Sequence, residues 1–257
     1  MSMLQAVILG VVEGFTEFLP ISSTAHLVIA SKLLGVATSE FLKTFEISIQ
    51  LGAIMAVVVF YYGIFLKHWE TNKKILIAFL PTAAIGFIFY KIVKNIFLMN
   101  AYISIWALLV GGVFIILFEK YHKDSQARIT SISNISYYQS FMIGLSQSLS
   151  IVPGVSRAAA TIIGGMELVI TRETMVEFSF LLAVPTMAAA TGLDFVKSYH
   201  LFSGSDFLIL AVGALVSFAT ALASISWLLK YVKKNTFIPF GIYRVGVALI
   251  LLFSHII

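Results

Sequence analysis

The chain of 257 residues is 60% hydrophobic and only 11% charged, with a mean hydropathy of +0.99. That composition excludes an ordinary soluble domain and marks an integral membrane protein. The absence of cysteine excludes a disulfide framework, a thiolate metal site and a thiol nucleophile. The net charge of +5 does not point to nucleic acid, because the basic residues sit in short turns between apolar segments rather than on one soluble face.

Residues 3 to 35 come first and are apolar. Pro20-Ile-Ser-Ser breaks them into halves shorter than the roughly 20 residues that cross a hydrocarbon core of about 30 Å. No basic stretch followed by a short apolar core and a small-residue cleavage site stands near Met1. No cleaved signal peptide is therefore expected, and this segment belongs to the mature fold. Full spans are predicted at residues 46 to 66, 75 to 92 and 101 to 119, followed by a linker over 120 to 136. Residues 137 to 171 repeat the broken pattern at Pro153-Gly-Val-Ser-Arg, and spans follow at 176 to 196, 206 to 229 and 237 to 254. Both broken segments read as re-entrant helical hairpins. Irregular backbone is tolerated at membrane depth only against protein or water, so both breaks should border one cavity.

The two halves resemble each other at an offset of about 131 to 135 residues, the kind of internal repeat that fixes an architecture. Gly10-Val-Val-Glu with Pro20-Ile-Ser-Ser parallels Gly144-Leu-Ser-Gln with Pro153-Gly-Val-Ser, Glu46-Ile-Ser-Ile parallels Glu177-Phe-Ser-Phe, and Val110-Gly111 parallels Val245-Gly246. An odd number of crossings per half forces the second half to enter from the opposite side. The predicted fold is an all-α integral membrane protein forming a single domain over 1–257. Inverted repeats 1–122 and 137–257 each hold one re-entrant hairpin and three transmembrane helices, giving six full spans and two hairpins. Lys67, Lys73, Lys74, Lys120, Lys123, Arg128, Arg172, Lys230, Lys233 and Lys234 fall on one predicted side, against Lys32, Lys43, Lys91, Lys94 and Lys197 on the other. By the positive-inside rule the richer side is cytoplasmic, which puts both termini and the mouth of the first hairpin outside.

Ionisable residues at membrane depth are functional-site candidates by default. Glu13 and Glu17 are four residues apart on one helix face, close enough to grip one cation or share one proton. Mg²⁺ typically takes one or two carboxylates plus phosphate oxygens. The competing reading is a pair of hydrated acids at a helix end. Ser22, Ser23 and Thr24 open the next half-helix, where free N–H groups and the macrodipole collect an anion; standing alone they would read equally as N-caps. His26, three residues after Ser23, is expected on the same face as a general base for its hydroxyl. At the second break Gly154, Ser156 and Arg157 repeat the construction, and the guanidinium fork suits phosphate oxygens. Pairing of Arg157 with Glu177 is its structural alternative. Gln147 stands where the first half has Glu13, so one half alone carries the acids. Glu46, Glu177 and Arg244 read as structural, Asp194 and His200 as solvated, and the Phe-rich aromatic content as lipid contact.

At these residues the sequence resembles the undecaprenyl-pyrophosphate phosphatase family, membrane enzymes tied to bacitracin resistance. The likeness runs through Glu13-Gly-Phe-Thr-Glu-Phe-Leu-Pro-Ile-Ser-Ser-Thr, Thr44-Phe-Glu with Ile49-Gln-Leu-Gly, Pro153-Gly-Val-Ser-Arg, Glu177-Phe-Ser-Phe-Leu-Leu-Ala-Val-Pro and Phe237-Ile-Pro-Phe with Ile242-Tyr-Arg, essentially the whole chain. It implies hydrolysis of undecaprenyl pyrophosphate to the monophosphate and inorganic phosphate, recycling the lipid carrier for cell-wall synthesis in the bacterial inner membrane. It also implies a divalent metal, Mg²⁺ or Ca²⁺, and a site opening to the periplasm. The acid motif falls on Glu13 and Glu17, the nucleophile and base region on Ser23, Thr24 and His26, and the phosphate-binding motif on Ser156 and Arg157. Two stretches depart from the family pattern: Ala25 replaces a Gly, and Arg157-Ala-Ala-Ala-Thr replaces Arg-Ser-Gly-Ala-Thr.

The expected chemistry is attack by Ser23 on the terminal phosphorus. In that scheme His26 accepts the proton, Glu17 orients His26 or joins Glu13 on the metal, and Arg157 with helix-end N–H groups stabilises the phosphoryl charge. Attack by His26 or by water is left open, as is a homodimer. A transporter or flippase is the competing function, because inverted repeats with broken helices also build transport sites.

Overall fold

The structure, a computed structural model, describes residues 1–37, 39–89, 92, 101–122, 127–198 and 207–253, with backbone alone at 101 and 193–198. The expectations for His200 and the side chain of Asp194, and the charges of Lys91, Lys94, Lys123 and Lys197, lie outside the described residues. Among those described the chain is helical, its one extended pairing an isolated bridge between Ile129 and Ile170. The helices are α1 (Met3–Thr16), α2 (Ser23–Leu33), α3 (Glu40–Phe60), α4 (Tyr62–Lys67), α5 (Trp69–Ile88), α6 (Ala101–Tyr121), α7 (Tyr137–Gln147), α8 (Arg157–Met166), α9 (Arg172–Ser198), α10 (Phe207–Tyr231) and α11 (Ile238–Phe253).

Five of these, α3, α5, α6, α9 and α10, are long and apolar enough to cross a membrane, which makes the chain a multi-pass membrane protein. Against the six full spans expected from the sequence, five helices among the described residues meet that length, and α11 is described over 16 residues, about 24 Å at 1.5 Å per residue. The first span also starts earlier than hydropathy places it. Ser39 accepts a hydrogen bond from Leu42 N (3.1 Å) and caps α3 at Glu40, a side-chain signal that a hydropathy window does not weigh. The helix stops at Phe60 because Tyr61 leaves helical geometry (φ −113°, ψ 21°), so residues 62 to 67 form a separate short helix.

α1 and α2 fold back on one another, as do α7 and α8, and the four are 14, 11, 11 and 10 residues long. Their bases close alike. Ser2 and Gln5 form a capping box at the start of α1 while Gln5 Nε2 donates to Leu34 O (3.0 Å) beyond the end of α2. Ser136 and Gln139 do the same for α7, with Gln139 Nε2 donating to Leu168 O (3.1 Å). Each capping box satisfies two helix-end N–H groups reciprocally.

The pairs pack across the halves: α1 lies on α10 and α7 on α5, while α3 packs on α10 and α9 on α5. Glycine permits both close approaches, for a side chain at Gly10 would meet the Gly213 carbonyl and one at Gly144 the Ala78 carbonyl. α6 and α11 pack together. At one end of the molecule Arg172 Nη2 bridges to Glu119 Oε2 (2.8 Å) and Arg172 Nη1 donates to Asn235 O (2.9 Å), tying the start of α9 to the end of α6 and the α10–α11 turn. The main apolar core surrounds the two breaks, with Phe18, Ile21, Ala158, Phe178 and Phe180 buried in it. Phe87, Leu117 and Phe253 face outward, as lipid contact requires.

Candidate active site

Each break is built around a serine in the left-handed region. Ser22 has φ 71° and Ser156 φ 76°, a conformation that costs a residue with a Cβ of order 1 kcal/mol or more and concentrates at functional sites. Arg244 holds both breaks. Completely buried on α11, it donates from Nη1 to Pro20 O (3.1 Å) and Val155 O (3.0 Å), from Nη2 to Gly154 O (2.9 Å) and Ala107 O (3.0 Å), and from Nε to Leu108 O (3.3 Å). One guanidinium thus satisfies backbone carbonyls of both irregular tips, which would otherwise be stranded away from water.

Across the joint lies a carboxylate. Glu17 Oε2 accepts from the Ser23 hydroxyl (2.5 Å) and Glu17 Oε1 pairs with Arg157 Nη2 (2.9 Å), with the Glu17 and Arg157 side chains 8% and 9% exposed. Residues 140 positions apart therefore meet on one acid. Arg157 Nη1 donates to Ser179 O (2.9 Å), and the guanidinium carbon lies 5.7 Å from the Phe18 ring centroid. Arg157 Nε is buried without a hydrogen-bond partner among the described residues. The alternative partner read from sequence, Glu177, is not the one used.

Glu13, one turn before Glu17, is 0% exposed and neither of its oxygens has a partner among the described residues. The charged groups close enough to act on it are Glu17, Glu46 and Arg157. A buried carboxylate with both oxygens orphaned is costly unless something positive joins it. Among the described residues no group of three or more His, Asp or Glu is placed to hold a metal ion. Gln147, at the matching position of the second break, is also fully buried but satisfied: its Nε2 donates to Thr82 Oγ1 (2.8 Å) and Thr186 Oγ1 (3.1 Å).

The hydroxyls divide likewise. Ser156 Oγ caps α8 by accepting from Ala159 N (3.3 Å), whereas Ser22 makes no side-chain cap to α2. The N–H groups opening α2 are thus left for an anion, with Thr24 exposed beside them. Gly154, at φ 94°, turns the second tip. Ala158 is fully buried in the core and Ala25 nearly so, so neither departure from the family pattern adds a donor.

His26 departs from the sequence reading. It does not meet Ser23. Its Nδ1 lies 2.7 Å from Ser22 O and its Nε2 2.8 Å from the Tyr243 hydroxyl, so the group in contact with the Ser23 proton is Glu17. Sequence reasoning missed Tyr243, together with Ser179 and Thr161, whose hydroxyls lie 2.6 Å apart beside Arg157. His26 and Tyr243 also line an apolar groove of about 300 Å³ that runs past Ile29, Leu33, Val247 and Ile250.

Residues 6–250 match the family model described as bacitracin resistance protein BacA. A protein named undecaprenyl-diphosphatase from Sulfurihydrogenibium sp. (strain YO3AOP1) is 53% identical over 247 residues, covering 95% of this chain and 96% of its own. Proteins of the same name from Persephonella marina and Aquifex aeolicus are 45% and 43% identical, each covering at least 96% of both chains.

Proposed function

The chain belongs to the bacitracin resistance protein BacA family, and on that premise we propose that it hydrolyses undecaprenyl pyrophosphate to undecaprenyl phosphate and inorganic phosphate. The activity returns the lipid carrier to cell-wall synthesis and confers bacitracin resistance. The observation that carries this reading is the Glu17 carboxylate, which holds a serine hydroxyl of one break and an arginine of the other.

Ser23 attacks the terminal phosphorus in line with the bond to the leaving lipid monophosphate, and its proton passes to Glu17 Oε2. Arg157, its Nε unclaimed, and the uncapped N-terminus of α2 with Ser22 and Thr24 receive the developing charge on the phosphoryl oxygens, supported by the Ser156 and Gly154 tip. Water then attacks the phosphoserine phosphorus, the P–O bond to Ser23 breaks, Glu17 returns its proton to the Ser23 oxygen, and both protons of the water leave with the inorganic phosphate. Glu13, with Glu17, would hold the divalent cation, which supplies charge neutralisation on the diphosphate. The polyprenyl tail lies in the groove beside His26, which leads from the polar site to the lipid face.

The architecture supporting this chemistry is an inverted repeat of 1–122 and 137–257 joined by the linker 120–136, with α1–α2 and α7–α8 as re-entrant hairpins. Its supports are the twin capping boxes, the twin left-handed serines and the exchanged packing of α1 on α10 and α7 on α5. The site opens to the periplasmic side of the inner membrane, opposite the end that carries Lys73, Lys74, Arg172 and Lys230. Purified protein in detergent with Mg²⁺ releases phosphate from undecaprenyl pyrophosphate, and Ser23→Ala lowers the rate by orders of magnitude while keeping its thermal midpoint. Near-normal turnover by Ser23→Ala would move the nucleophile elsewhere.

A further inference from the structure

We infer that Tyr243 is a positioning residue for the phosphoryl-transfer site, acting through His26 on the backbone of Ser22; the inference rests on the hydrolase reading above. The argument begins with what each atom can donate. A carbonyl oxygen only accepts, so the 2.7 Å contact between His26 Nδ1 and Ser22 O places a proton on Nδ1. In the neutral ring Nε2 then presents a lone pair, and the Tyr243 hydroxyl at 2.8 Å donates to it. The two rings lie nearly parallel, 11° apart with centroids separated by 5.5 Å, so stacking and the hydroxyl together hold the imidazole in the plane where its Nδ1–H meets Ser22 O.

The two breaks differ in what holds their left-handed serine. Ser156 is pinned by its own hydroxyl on Ala159 N and by Arg244 on the carbonyls of Gly154 and Val155. Ser22 has no side-chain cap, and Arg244 reaches only Pro20 O two residues earlier. The remaining side-chain anchor on the Ser22 carbonyl is His26, and His26 is held in turn by Tyr243. α11 thus grips the first break twice, through Arg244 directly and through Tyr243 by way of an imidazole. Since Ser22 immediately precedes Ser23, its backbone sets the direction in which the Ser23 hydroxyl meets Glu17.

Tyr243→Phe tests this, because it keeps the stacked ring and removes only the hydroxyl. The tautomer of His26 is read by nitrogen NMR of histidine-labelled protein in detergent, its signal assigned by loss in His26→Gln, alongside kcat and KM for polyprenyl pyrophosphate. In the variant the ring is freed to swing off Ser22 O, so the Nδ1–H tautomer gives way to a mixture, kcat falls about tenfold as Ser23 loses its aim, and KM stays within about twofold because Arg157 still binds the anion. An unchanged tautomer, or a shifted tautomer with wild-type kcat, overturns the inference. If wild type releases no phosphate at all, the hydrolase reading fails, and the tautomer comparison still decides whether Tyr243 fixes His26.

Discussion

Replacing Glu17 by Gln changes one atom and removes two of its jobs. In the native site Oε2 takes the Ser23 proton and Oε1 neutralises Arg157. The amide is no base in either orientation, and with its NH₂ toward Arg157 two sets of donors face each other. With both side chains under a tenth exposed, solvent screens little, and stranding one member of such a buried pair costs about 3–5 kcal/mol. Loss of a general base costs about 10²–10⁴-fold, equivalent to roughly 3–5 kcal/mol at 1.36 kcal/mol per tenfold. Loss of the base gives at least about a hundredfold loss of kcat, and the stranded pair lowers the thermal midpoint. Glu17→Asp keeps the charge but is one methylene too short to bridge both partners, so it falls between wild type and Gln. The assay is phosphate release from undecaprenyl pyrophosphate in detergent, run well below the thermal midpoint of each variant. A folded Glu17→Gln protein within about threefold of wild type would refute the proton-acceptor role and leave the ion pair as mere scaffolding.

Glu13 and Arg244 yield predictions of opposite sign. Glu13→Gln removes a buried carboxylate with no partner; its thermal midpoint rises, since the desolvation cost of the charge disappears, while the Mg²⁺ concentration for half-maximal activity rises about tenfold or more. A lower midpoint with unchanged Mg²⁺ dependence would show that Glu13 is satisfied in some other way. Arg244→Leu takes the donor from five carbonyls and strands the three that lie in the tips, those of Pro20, Gly154 and Val155. It destabilises by roughly 3–5 kcal/mol and abolishes activity, and a thermal midpoint near wild type would contradict the clamp.

The parts legible in the sequence are those set by local rules. The broken segments were readable from the length of their apolar runs against the thickness of a bilayer, and Pro20 and Pro153 mark where each run fails. Glu13 and Glu17 share a face because one helical turn separates them. Span edges were less legible, because the Ser39 cap and the Tyr61 break, rather than hydropathy, bound α3. His26 shows why the rest was hidden. Three residues from Ser23 it appears aimed at that hydroxyl, yet a ring on α11, 217 positions away, claims its far nitrogen, and no spacing rule connects the two. Arg244 is the extreme case: an arginine in an apolar run announces that partners exist, but here all five are backbone carbonyls. A carbonyl is present at every residue and leaves no mark on side-chain identity. The contact that holds the two breaks together is therefore invisible in any pattern of residue types and emerges only when the tips are placed in space.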